Sequence, residues 1–128
     1  MIAAARVAVL VLPLLAPLGL PAQAQAQEVE VGTSLVCDTQ EQVERFIALY
    51  DGEAQSAVDR VNAEHGPTAC GLSSMAYVRG PQLATARSKD ATFEIARILV
   101  LGIVTEAGVK AVTPAAFFSV FEVEEIRV

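Results

Sequence analysis

The chain has few of the residues from which catalytic and metal sites are built. It contains no tryptophan, one histidine (His65) and two cysteines (Cys37 and Cys70) in 128 residues. The cysteines do not occur in a CxxC or CxxH spacing, which a structural zinc site would use. No serine lies in a G-x-S-x-G context, and no histidine–carboxylate–nucleophile set is evident. We therefore expect a protein that is not an enzyme and that holds no catalytic residue, metal or cofactor.

Basic residues are also scarce. Lys and Arg number 9 against 15 Asp and Glu, which gives a formal net charge of −6. Negative charge repels nucleic acids and anionic membrane surfaces, so we exclude both as main partners. The simplest role of this charge is solubility.

The first 26 residues have the parts of a secretory signal peptide. Arg6 is the one charge of a short n-region, an apolar run covers residues 7–20, and small residues at 22–26 offer two cleavage positions. Two prolines interrupt the apolar run, which is shorter than the roughly 20 residues of a membrane helix. No lipoprotein cysteine follows the run. We expect cleavage and export to the periplasm or the medium, and an uncleaved N-terminal anchor is the alternative.

Residues 27–128 should then form one small domain in an oxidising compartment. Both cysteines fall within it, and two cysteines in an exported domain of this size most often pair. Two free thiols or a metal pair are the alternatives. A Cys37–Cys70 disulfide would close a loop of about 34 residues and contribute roughly 3–4 kcal/mol in the chain-entropy model.

Two amphipathic helices are predicted between the cysteines. Thr39 can cap the first helix, because Gln42 follows it at capping-box spacing. Apolar residues then recur with helical period up to Tyr50, and Asp51-Gly52 ends the helix. A second helix is predicted from about Glu53 to Glu64, with an apolar stripe of small side chains and a stop at Gly66-Pro67.

The pattern changes to strands after Cys70. Four are predicted, separated by turns at Gly80-Pro81 and Lys89-Asp90 and by a loop over 105–114, and they cover residues 72–79, 82–88, 92–105 and 115–128. A further short strand is possible over 28–37. Helices followed by strands indicate an α+β fold. We predict a two-helix hairpin, followed by a four-stranded antiparallel meander, with the helices packed on one sheet face and the disulfide joining the open ends of the hairpin.

Two of the predicted strands are apolar on both faces, around 98–101 and 117–121. A pair of small helices covers only one face of a sheet, so something must cover part of the other. The candidates are a curled sheet that closes on itself, the N-terminal segment around 29–36, or a second copy of the protein. We expect this second face to serve self-association or the docking of a partner protein.

The polar residues that stand out have simple structural interpretations. His65 is predicted to cap the end of the second helix, where the helix dipole favours its charged form, rather than to act as a base. Glu122 and Glu124 share a strand face and could bind a cation, but a solvated edge is the better interpretation. Arg97 is expected to extend along an apolar face, paired with Glu94 or Glu122. Asn62 is expected to form a hydrogen bond near the end of its helix.

The combination of Cys37-Asp38-Thr39, Val61-Asn62-Ala63 and Thr68-Ala69-Cys70 resembles a group of short exported bacterial proteins of unknown function. The resemblance implies a signal peptide, one disulfide and one small domain. It implies no activity, cofactor or catalytic residue.

Two functions are compatible with these features. The first is a small exported binding or interaction module of the cell envelope. The second is a carrier of a small apolar ligand held between helices and sheet, where Ala54 and Ala57 would leave space. A small hydrolase or isomerase would need a set of residues that the sequence lacks.

Overall fold

The computed structural model describes residues 28–123, so the predicted leader and the last five residues, among them Glu124, lie outside the described residues. Within this range no helix is long and apolar enough to cross a membrane. In chain order the elements are β1 (Val29–Cys37), α1 (Gln40–Leu49), α2 (Ala54–His65), β2 (Cys70–Arg87), β3 (Thr92–Thr105) and β4 (Gly108–Glu122).

The four strands form one antiparallel sheet in meander order, with each strand beside the next in sequence. Cys37 also pairs with Phe118 of β4, so that the sheet closes on itself. The α+β class, the four-stranded antiparallel meander and the packing of a helix pair against the sheet are thus confirmed. The possible strand over 28–37 is real, and as β1 it enters the sheet ahead of the helices.

The turn predicted at Gly80-Pro81 is wrong, because β2 continues through these residues as a single strand. The pairing of β2 with β3 shifts register between Arg79 and Gln82, which is the mark of a bulge. A Cβ on Gly80 would lie 2.9 Å from the carbonyl oxygen of Arg97, so only glycine fits there. Pro81 is tolerated because a bulged residue needs no ladder hydrogen bond. The predicted strands 72–79 and 82–88 are therefore one element.

The loop predicted over 105–114 is also wrong. Thr105 pairs with Gly108, so β3 and β4 are joined by a tight turn in which Gly108 has a φ of 117°. Positive φ is the conformation that glycine adopts at least cost. The rest of the predicted loop belongs to β4, which begins earlier than predicted, and residues 124–128 of the predicted strand lie outside the described residues. The pairing of β3 with β4 also shifts register between Val100 and Gly102, and Pro114 lies in the unpaired part of β4 opposite this shift.

The helical hairpin forms as its sequence signals predict. Thr39 accepts a hydrogen bond from the Gln42 backbone N–H, and the Gln42 side chain accepts one from the Thr39 backbone N–H, which completes the capping box of α1. Glu53 caps α2 through the backbone N–H of Ser56. Gly66, at a φ of 123°, ends that helix.

Apolar side chains lie in two layers on opposite faces of the sheet. The first layer is the interface between helices and sheet, and its buried members are Leu35, Cys37, Val43, Phe46, Ile47, Ala57, Val58, Val61, Cys70, Phe93 and Ile95. The second layer lies inside the curled sheet and consists of Met75, Tyr77, Ile98 and Val100, with Val36, Phe117 and Phe121 packed against it.

The curl of the sheet explains why two strands are apolar on both faces. Where β1 meets β4, the buried Ser119 hydroxyl donates to the carbonyl oxygen of Leu35 at 2.5 Å and lies 3.0 Å from the Ser34 hydroxyl. Closure of the sheet and the N-terminal segment, two of the three expected covers, therefore both contribute to covering the second face.

Candidate functional site

An apolar groove of about 430 Å³ opens on the second face, beside the first residues of β2. We call it the β2 groove. Met75 and Val100 are buried in its floor, and Leu72 and Ile103 are 38% and 37% exposed. The complete lining is Val36, Asp38, Pro67, Thr68, Ala69, Cys70, Gly71, Leu72, Ser73, Met75, Val100, Ile103 and Phe117.

The groove exists because the first residues of β2 pair with β1 but not with β3. Pairing of β2 with β1 starts at Cys70, whereas pairing with β3 starts only at Met75, opposite Ile103. Residues 71–74 therefore have pairing partners on β1, whereas on the other side no residue within 28–123 pairs with them, although β3 itself continues to Thr105. Leu72 and Ile103 remain partly exposed at this point, beside the buried side chains of Met75 and Val100.

The disulfide lies at the end of the groove and confirms the predicted pairing. Cys37 and Cys70 are direct cross-strand partners, with their Cα atoms 4.1 Å apart. Cys37 is fully buried and Cys70 is 5% exposed. The bond joins the strand that enters the helical hairpin to the strand that leaves it, as the sequence predicts.

Asn62 fixes the backbone at the start of β2. Its side-chain amide oxygen accepts a hydrogen bond from the backbone N–H of Cys70 at 2.9 Å, and its amide nitrogen donates to the carbonyl oxygen of Cys70 at 3.0 Å. The same nitrogen lies 3.3 Å from the carbonyl oxygen of Pro67. The hydrogen bond expected near the helix end is present, and it attaches the helix to the disulfide-bonded strand.

Among the residues that the structure describes, Asp38 is the one charged residue that lines the groove. Its side chain is exposed, and within the described part of the chain it forms no salt bridge. Its backbone N–H donates to Gln42 and to the carbonyl oxygen of Ala69. The backbone of Asp38 is therefore fixed, while its carboxylate is available to a cationic group at this end of the groove.

A second polar cluster lies on the same face, outside the groove. Arg79 donates to both carboxylate oxygens of Glu30, at 2.9 and 3.2 Å, and its guanidinium carbon lies 3.6 Å from the ring centre of Phe121. The hydroxyl of Tyr77 donates to Glu30 at 3.3 Å. Burial, together with the charge of Glu30, raises the pKa of Tyr77 above 10.0. Each polar group has a partner, so the cluster closes the sheet and does not present a reactive group.

The residues considered from sequence do not come together into one site. His65 is exposed in the last turn of α2, Glu122 is exposed at the end of β4, and neither lines the groove. Arg97 is exposed, with its guanidinium carbon 5.5 Å from the ring centre of Phe118. Within residues 28–123 it forms no salt bridge with Glu94 or Glu122, contrary to the expectation. Those residues also contain no group of three metal-ligating side chains.

The space expected between helices and sheet is filled. Ala57 is fully buried in the first layer, and Ala54 packs against the same cluster. Small side chains here let α2 approach the sheet closely instead of leaving a cavity. The β2 groove lies on the opposite face of the sheet.

No protein-family model, curated protein or solved structure matches this chain. The function must therefore be inferred from the site itself.

Proposed function

We propose that this protein is an exported, non-enzymatic binding module and that the β2 groove is its binding surface. The observation that carries the proposal is an apolar groove whose floor belongs to the protein's second core layer. Its volume of about 430 Å³ falls in the range of binding pockets, roughly 300–1,000 Å³.

Several properties of the groove favour binding over catalysis. Its walls are mostly apolar, and its polar groups are one carboxylate, two hydroxyl side chains and backbone groups. In the described part of the chain, the lining contains no histidine, no free thiol and no second carboxylate. The buried disulfide is typical of proteins that work in an oxidising compartment, which supports export.

Gly71 allows a direct test. A Cβ at this position would meet no atom within 4 Å, so Gly71→Phe should fill the groove without strain. Gly32 is equally open and is not part of the groove lining, which makes Gly32→Phe a matched control. Bait protein of each form would be incubated with envelope extract, and captured proteins identified by mass spectrometry.

We expect a partner that is retained by wild type and by Gly32→Phe and is lost from Gly71→Phe. Capture of the same proteins by Gly71→Phe as by wild type, or no capture at all, would contradict the proposal. Sedimentation of the same three proteins tests a second copy as the occupant, because self-association through the groove would then disappear only in Gly71→Phe.

A carrier of a small apolar ligand is the second candidate, and the groove's apolar lining favours it. Native mass spectrometry of freshly purified protein should then show a discrete added mass. That mass should be present in Gly32→Phe and absent from Gly71→Phe.

A further inference from the structure

We infer that the β2 groove binds an extended peptide segment, which adds as a strand to the open edge of β2 and places apolar side chains in the groove. This inference rests on the proposed function and specifies the class of partner. Adding a strand to a sheet edge supplies main-chain hydrogen bonds for affinity and side-chain pockets for specificity.

The direction of the backbone groups follows from Asn62. Both the N–H and the C=O of Cys70 bond to the Asn62 side chain, so they point away from β1. In an antiparallel sheet, successive residues direct these groups to opposite sides. Gly71 therefore faces β1, and Leu72 directs its N–H and C=O to the open edge. No residue within 28–123 pairs with Leu72 on that side.

Asn62 also shows that the edge accepts a partner of peptide-like chemistry. Its carboxamide makes the same pair of hydrogen bonds to Cys70 that a residue of a neighbouring strand would make. Beyond the groove, β3 occupies the same edge from Met75 onward. The vacant stretch at Leu72 thus lies between two positions that are already paired, and an added strand would continue the existing ladder.

The groove fits the side chains of such a strand. A residue opposite Leu72 would exchange two backbone hydrogen bonds with it, and the residues on either side would point toward the face of Ser73 and Met75. That face is the apolar floor of the groove. Two apolar side chains, one on each side of the central residue, would therefore be buried.

Charge selects the composition of the segment. Within residues 28–123, Asp38 is the only charged residue in the lining, and the whole chain carries a net charge of −6. A cationic residue at the end of the peptide next to Cys70 would lie beside Asp38. Acidic segments would be repelled. The expected partner is therefore an extended apolar segment with a lysine or arginine at that end.

The probe is the peptide acetyl-Thr-Val-Thr-Val-Lys-amide, which is designed to pair antiparallel with its central threonine opposite Leu72. Its control is the same peptide with the central threonine N-methylated, because this removes one edge hydrogen bond and keeps every side chain. A second control replaces the lysine by glutamate. Affinity would be measured by calorimetry on the oxidised full chain, and amide hydrogen exchange by NMR.

We expect the probe peptide to bind. N-methylation should weaken its affinity by about tenfold or more, as the loss of one hydrogen bond predicts. The glutamate peptide should also bind more weakly than the lysine peptide. In the free protein the amide of Leu72 should exchange faster than those of Gly71 and Ser73. Peptide binding should slow the exchange of Leu72 selectively. Leu72→Pro removes the edge N–H without removing a bond to β1, so it should keep the fold and lose affinity.

Binding that is insensitive to N-methylation and to Leu72→Pro, or that leaves exchange of Leu72 unchanged, would overturn strand addition. The capture experiment separates the two proposals. If a partner were still retained by Gly32→Phe and lost from Gly71→Phe despite that result, the proposed binding function would stand and only this inference would fall. If neither the peptide nor any extract component bound in a groove-dependent manner, both would fall.

Discussion

Loss of the disulfide between Cys37 and Cys70 should lower the free energy of unfolding by about 3–4 kcal/mol. The two cysteines are separated by 33 positions, and the chain-entropy model assigns ~3.8 kcal/mol at 25 °C to a loop of this size. The bridge restricts the unfolded chain, while in the native state all nine residues of β1 pair with β2 and already hold the loop ends together.

Reduction and mutation should differ by a predictable amount. The reduced wild type keeps both sulfur atoms in the core and loses only the cross-link. The double variant Cys37→Ala/Cys70→Ala also loses two buried side-chain atoms, each comparable to a buried methylene at about 0.8 kcal/mol. We therefore expect stability to fall from the oxidised protein to the reduced protein, and further to the double variant.

Urea denaturation followed by far-UV circular dichroism would measure the three forms, with alkylation and mass spectrometry to confirm the thiol state. The oxidised form should also show a smaller m value, because its unfolded state exposes less surface. If the oxidised and reduced forms differed by less than about 1 kcal/mol, the loop-closure reasoning would be refuted.

Three further predictions concern single residues. Asn62→Ala should lower the free energy of unfolding by about 2–3 kcal/mol, because two hydrogen bonds to partly buried backbone groups are lost. Asn62→Asp keeps only the acceptor and should lower it by about half as much. Urea titrations would measure both variants. Gly102→Ala should lower the free energy of unfolding by about 1–3 kcal/mol, because the added Cβ would lie 2.8 Å from a methyl of Val109. Gly71→Ala is the control, because its Cβ would meet nothing within 4 Å, and it should leave the melting temperature nearly unchanged. Burial and Glu30 raise the pKa of Tyr77 above 10.0. The contribution of Tyr77 to stability should therefore be complete below pH 10 and should decline as pH rises through the raised pKa. In thermal melts at a series of pH values, Tyr77→Phe should lose less stability at alkaline pH than the wild type.

The helices could be predicted because their signals are local. The capping box at Thr39 and the glycine stop at Gly66 act on neighbours within a few positions, so the sequence alone contains both partners of each interaction. The apolar stripes likewise depend only on spacing along one element. The disulfide was predictable for a different reason, namely that only two cysteines were present to pair.

The strand boundaries depend on contacts that are distant in sequence. Gly80-Pro81 is compatible with both a turn and a bulge, and the choice is decided by the backbone of Arg97 on β3, which approaches within 2.9 Å of a Cβ position on Gly80. Gly108 does mark a turn, but the neighbouring residues of β4 pair with β3 instead of forming a loop. Such outcomes follow from register, which single-strand patterns do not specify.

The candidate site was missed for the same reason. The groove exists because β3 first pairs with β2 at Met75, five positions after β1 does, and no local motif encodes that offset. Gly71 and Leu72 are not unusual as sequence. Their significance comes from lying on an edge that one neighbour leaves uncovered. The one local sign is Asn62, whose side-chain bonds to Cys70 mark that edge.

An open strand edge is normally unstable or prone to aggregation, and proteins keep such edges short or cover them. Here the vacant edge is confined to residues 71–74, and three independent attachments hold its strand: the ladder to β1, the disulfide at Cys70, and the carboxamide of Asn62. With those attachments, the first residues of β2 can stay ordered without a second strand beside them. A partner segment would then meet an edge that is already fixed in pairing geometry, and it would pay little ordering entropy on the protein's side. The disulfide and the groove are therefore best understood as parts of one arrangement, in which the covalent bond to β1 helps to hold the unpaired edge of β2 in place.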